Sequence, residues 1–185
     1  MEKRNLSYGS SVIILAFLFV VINTISGCEQ APSFSKNVKD IKFMLKEKKS
    51  EIDYENYVNV KMKPSKILFN KTTEEQVLDN KLCNIVYTVI VENISSENIK
   101  INLKLFIPDE LSSTIVYGAT TLGPRKKDVI LKPGERINIG MGTLIKHLNN
   151  LSEKEKELFD DYKDILYIEL LINDKKSYAK ISALK

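Results

Sequence analysis

Few side chains in this 185-residue sequence could do covalent or acid–base chemistry: two cysteines, Cys28 and Cys83, one histidine, His147, and scattered carboxylates. A Ser-His-Asp or Cys-His device would have to use His147. That residue stands in a polar stretch just before Asn149-Asn150, where a surface loop is expected. No Gly-x-Ser-x-Gly elbow, Lys-bearing phosphate loop, Cys-x-x-Cys or His-Glu-x-x-His spacing occurs. Zinc and copper sites draw on several His, Cys or Met ligands, so no metal and no cofactor is expected. Gly140-Met141-Gly142 is a lone Gly-x-Gly, which predicts a strand bend or bulge. Glu153, Glu157, Asp160, Asp161 and Asp164 fall along one helical face. Calcium prefers oxygens wrapped round it from a loop, so a solvated acidic face is expected there. An enzyme would need carboxylates such as Asp109, Glu110 or Asp160 to converge in a cleft, and the chain is read as non-catalytic.

The two cysteines differ in context. Cys83 borders the apolar run 84–91 and is expected to be a small buried hydrophobe without a disulfide partner. Cys28 ends a different pattern: Lys3 and Arg4, an uninterrupted apolar run over 12–22, and the small residues Ser26 and Gly27. The segment Ile25-Ser26-Gly27-Cys28 resembles the lipobox of bacterial lipoprotein precursors, with their type II signal peptide. The resemblance implies cleavage between Gly27 and Cys28, a diacylglyceryl group on the Cys28 sulfur and fatty acylation such as palmitate. It places the mature protein on the extracytoplasmic face of the cell membrane. A plain membrane anchor is the alternative. A span needs ~20 apolar residues, and Asn23, Thr24, Ser26 and Gly27 interrupt the run. Each buried methylene contributes ~0.8 kcal/mol, so two acyl chains hold stably where one holds marginally.

Removing residues 1–27 leaves 158, enough for one domain with a real core. The whole chain carries +4. Lys3 and Arg4 against Glu2 take one positive charge away with the leader, leaving +3, too mild to suggest nucleic acid. The wealth of Lys, Ile and Asn resembles Gram-positive proteomes of low GC content.

Residues 28–35 read as a lipidated tether, and 36–56 as an amphipathic helix (36–52) with a short linker. Val38, Ile41, Leu45 and Ile52 share one helical face; Lys39, Lys42, Lys46 and Lys49 form a neighbouring stripe. That stripe either faces solvent or contacts an anionic membrane surface. From Tyr57 the period changes to two, with a strand that Pro64 ends and a second short run over 66–69. Residues 70–81 read as a polar connection. The run 84–92 is apolar on both faces, as in a strand covered on each side. It is expected to pair as a hairpin, across the turn 93–98, with the alternating strand 99–107. A strand over 112–117 and a loop over 118–128, tipped by Arg125-Lys126-Lys127, come next. A Pro-Gly turn at 131–135 then launches the strand with Ile137, Ile139 and Met141. Ser152 with Glu155 makes a capping box for a helix over 152–162. The chain closes with a hairpin of 165–172 and 177–184.

Eight or nine short strands with few helices predict an antiparallel β-sandwich over 57–185. The run YTVIVENISSENIKINLKLFIP, followed by LKPGERINIG, resembles the small immunoglobulin-like domains of Gram-positive extracytoplasmic lipoproteins. The helix at 152–162 and the lack of Trp depart from that pattern. The lipobox, the β pattern and the missing catalytic constellations together predict a non-catalytic binding or interaction module, tethered to the membrane, whose partner is a protein or cell-envelope component. The alternatives are a protease-inhibitor-like domain that uses the loop 118–128 and, behind it, a small envelope enzyme.

Overall fold

The computed structural model describes residues 37–69, 82–117, 121–122 and 128–183. The leader, the lipobox with Gly27 and Cys28, the tether and the connection 70–81 lie outside the described residues, as does most of the loop 118–128.

Alternation in the sequence becomes two antiparallel sheets with a shared core. The first sheet has the order β1 (Val58–Phe69), β2 (Leu82–Asn93), β7 (Arg136–Lys146), β4 (Ile115–Tyr117). In the second, β3 (Ile99–Phe106) and β8 (Ile165–Ile172) are central. β9 (Lys175–Ser182) flanks β8, while β5 (Thr121–Leu122) and β6 (Val129–Leu131) pair with β3. Every second residue of β2, from Cys83 to Val91, faces Ile99, Ile101, Leu103 and Leu105 of β3 and the even positions of β8 in one core. The molecule is a mainly β, two-sheet sandwich.

Three expectations about how β1, β2 and β3 pair and are covered need correction. First, β2 and β3 do not form a hairpin, because they belong to opposite sheets. The turn 93–98 carries the chain across the sandwich, and the Pro-Gly turn brings it back from β6 to β7. The two crossings are laced together. Asn93 N–H donates to the Glu135 carbonyl at 2.9 Å, and Gly134 N–H to the Asn93 carbonyl at 2.8 Å. Second, β2 is fully covered on one face only, the other being half-buried. The strand buried on both faces is β8, whose outward Tyr167 lies under a helix. Third, Pro64 does not end β1. It sits where the register with β2 shifts between Lys63 and Lys66, a bulge on an edge strand where a missing N–H is tolerated.

The helix α1 (Val38–Lys46) is shorter than the expected 36–52. Asn37 and Asp40 cap its start reciprocally. Its end is set by Lys48 in the left-handed region, at φ 51°. Residues 50–52 run along β9: Lys176 N–H donates to Glu51 Oε2 at 2.7 Å, and Ser177 Oγ to the Ile52 carbonyl at 3.0 Å. This strap covers hydrogen-bonding groups that an edge strand would otherwise present. Val38 and Ile41 bury against Phe106, Tyr167 and Tyr178 on the outer face of the second sheet.

The remaining elements follow local chemistry. Gly134, at φ 74°, occupies the third position of a turn that Pro133 enters, closed by Glu135 N–H to the Lys132 carbonyl at 2.9 Å. Asn173 and Asp174, both at positive φ, make a two-residue hairpin loop between β8 and β9, tighter than the four residues expected. The expected strand over 112–117 shrinks to β4, because 109–111 take a 3-10 turn first. The helix α2 (Glu153–Tyr162) starts at the capping box of Ser152 and Glu155. Residues 34–185 make up one compact unit, which contains the whole of this core.

Candidate functional site

The carboxylates that an enzyme would need are each engaged by a lysine. Asp109 and Glu110 both face Lys42, at 3.7 and 3.0 Å, whereas Asp160 is bound by Lys163. Burial works to raise the Glu110 carboxyl. Its own turn's N–H and the Lys42 ammonium more than offset this and leave it below its usual value. Burial likewise opposes the charge on Lys42, and Glu110, with Asp109 behind it, raises the ammonium above its ordinary value. Lys42 also lies 5.3 Å from the centre of the Tyr167 ring. The expected stripe of four lysines is therefore not continuous. Lys39, Lys46 and Lys49 are exposed, Lys42 is turned into an ion pair, and Lys49 lies beyond the end of α1.

Cys83 is a wholly buried thiol in the first sheet, its Sγ 3.5 Å from the Lys146 carbonyl, and burial raises its pKa. His147 precedes a 3-10 turn at 148–150, where its Nδ1 accepts from Asn149 N–H at 3.2 Å. Its ring packs on Phe69 with centroids 5.3 Å apart. Gly140 and Gly142 mark no bulge: β2 and β7 stay in register through both, and each glycine takes an outward position. A Cβ at Gly142 would meet the Ile85 carbonyl at 3.1 Å. Of the acidic helical face, Glu153, Glu157, Asp160 and Asp161 are exposed. Asp164 is not: its Oδ1 accepts from Ser65 N–H at 2.7 Å and ties the β1 bulge to the start of β8. No metal-holding group of His, Cys, Asp or Glu occurs among the described residues. No helix among them is long and apolar enough to cross a membrane.

A cleft does form where β1, the 148–150 turn and α2 meet, with a volume of about 460 Å³. Ile67, Leu148, Leu151 and Phe159 supply apolar lining; Lys156, Asp160 and Lys163 stand along the helix side. Each element has a reason to be there. The bulge at Pro64 brings Ser65 within reach of Asp164. The Ser152 cap starts α2 so that Phe159 points inward, and the Lys146–Glu155 pair at 2.6 Å ties α2 to the end of β7. Lys146, then the Ser152 hydroxyl and N–H, hold the Glu155 carboxyl down at about 2. Past Ile67, Leu68 and Phe69 at the end of β1 are exposed, and Phe69 meets His147.

Sequence reasoning missed this cleft, because its lining comes from segments some 80 residues apart whose apolar residues looked like ordinary core. It also missed Asn93 and the hydroxyl of Tyr87. The latter is buried without a hydrogen-bond partner, and burial, with the Asp164 charge, holds its pKa well above the ordinary value. Glu169, wholly buried with Lys176 at 3.8 Å, carried a readable signal as the one acid in the apolar run ILYIELLI.

The fold and cleft define the class only as an antiparallel two-sheet β-sandwich. No protein-family model matches the chain, and no curated protein does. Among solved structures it is similar to a protein described as ApaA from Bordetella pertussis, at 10% identity and TM-score 0.35, over 69% of this chain and 91% of that one. A FixG-related protein from Vibrio parahaemolyticus matches at 15% identity and TM-score 0.26, over 66% and 98% of the two chains. β-Glucosidase 3B from Thermotoga neapolitana matches at 10% and 0.22, over 68% of this chain and 16% of that one. Likenesses this distant carry no argument about activity.

Proposed function

We propose that the chain is a bacterial lipoprotein precursor. Its mature part, beginning at Cys28, is a non-catalytic binding module with an immunoglobulin-like sandwich, held by lipid on the extracytoplasmic face of the cell membrane. The address rests on Ile25-Ser26-Gly27-Cys28 behind the apolar run 12–22. The observation that supports a binding module is the cleft. Its lining places an apolar floor beside lysines, and its one carboxylate, Asp160, is bound by Lys163. Apolar concavities with a few convergent polar groups are where ligands bind. The partner is an envelope component or a protein of the cell exterior. The short α1 is entered ten residues after Cys28, so Lys39 and Lys46 on it and Lys49 just past its end stand within a short tether's reach of a membrane that holds the lipid.

The test is a Cys28→Ser variant expressed in a Gram-positive host. The reading expects wild type in the membrane fraction and the variant either unprocessed or released. Identical fractionation and identical processed mass for both would end it. Affinity capture from intact cells on the wild-type protein then tests the binding module, with recovery of one saturable envelope partner as the expected result.

A further inference from the structure

The geometry points to the cleft between β1, the 148–150 turn and α2 as a binding site for a small amphipathic monoanion, an apolar chain or ring that carries one carboxylate. This names the ligand class of the proposed binding module and rests on that reading. The cleft's volume of about 460 Å³ suits a small molecule rather than a folded partner. Ile67, Leu148, Leu151 and Phe159 give it an apolar floor that gains by contact with hydrocarbon.

Charge sets the other half of the ligand. Two lysines, Lys156 and Lys163, stand in the lining against one carboxylate, Asp160. Their partners are carboxylates three residues back on the same helix, Glu153 and Asp160, whose side chains are 90% and 69% exposed. Pairs made in water contribute little to stability, so an ammonium can exchange such a carboxylate for a ligand's at small cost. Lys163 is the more sheltered of the two, and its ammonium lies 5.7 Å from the centre of the Phe159 ring. A head group bound there leaves the ligand's apolar body over Phe159 and Leu151. A neutral ligand would forgo the lysines, and an anion without an apolar body would forgo the floor.

Residues 29–185, which contain the compact unit 34–185 with its own core, serve as the test protein. Isotope-labelled protein is titrated with decanoate, decanol and acetate, and amide and methyl shifts are followed. The proposal expects saturable decanoate shifts centred on Ile67, Leu148, Phe159 and Lys163, weaker binding of decanol and none of acetate. Lys156→Met combined with Lys163→Met should weaken decanoate by about tenfold, or ~1.4 kcal/mol, and leave decanol unchanged. Asn149→Trp, at an exposed position on the lining, should block both ligands while the spectrum of the fold is retained. Decanoate that fails to saturate, shifts that map elsewhere, or decanol binding as tightly as decanoate would each overturn the proposal. If decanoate fails while an envelope partner is still captured from cells, the ligand class is wrong and the binding module stands. If capture fails as well, the module reading falls with it.

Discussion

Asn93 ends β2 with an amide that water does not reach. Its Nδ2 donates to the carbonyls of Glu97 and Leu131 at 2.7 and 2.9 Å, and its Oδ1 accepts from the Ser95 N–H and hydroxyl. One side chain thus satisfies groups from both crossings of the sandwich. Asn93→Ala removes the buried bond to the Leu131 carbonyl, a loss of about 1–3 kcal/mol that chemical denaturation should show, whereas the exposed Glu97 carbonyl keeps the Ser95 hydroxyl. Gly134→Ala is a different case. Open space surrounds the position, so only the left-handed backbone resists, and a loss of about 1 kcal/mol is expected from thermal unfolding. Gly134 was legible because Pro-Gly sets a turn by itself. Asn93 was not, since nothing local marks an Asn in NISSEN as buried rather than as one more turn residue.

Helix α2 is the element whose start could be read residue by residue, because a capping box is chemistry within four residues. The same box makes it sensitive to acid. The ionised Glu155 is bound by Lys146 and Ser152, so its carboxyl is depressed from 4.5 to about 2. A depressed carboxyl contributes stability that is complete above the unfolded value and lost as pH falls through the folded one. Unfolding followed between pH 5 and 2 should therefore show wild type losing more stability than Glu155→Gln, and parallel curves would contradict this. Helix α1 was legible in its buried face but not in its length. The left-handed Lys48 and the pairing of 50–52 with β9 are long-range outcomes that helical spacing does not contain. Ile41 is wholly buried on the inner face of α1, and Ile41→Ala should cost about 2–5 kcal/mol in denaturant unfolding.

At the scale of the whole molecule, alternation announced strands and a sandwich, while partner choice escaped it. A polar turn between two alternating strands serves a hairpin or a crossing between sheets equally well. Which one forms depends on β8, some 60 residues further on, taking the place beside β3. For the same reason the cleft could not be read ahead, since β1 lies some 80 residues from the turn and helix that complete its walls. The placement on the membrane stands on sequence alone, on the residues before Cys28, and the ligand proposal depends on it for context but not for geometry. Intact-mass analysis of the protein extracted from its host's membranes addresses that placement directly. The account predicts a chain that begins at Cys28 and carries a diacylglyceryl group on its sulfur. A chain that still begins at Met1, or a Cys28 without lipid, would contradict it.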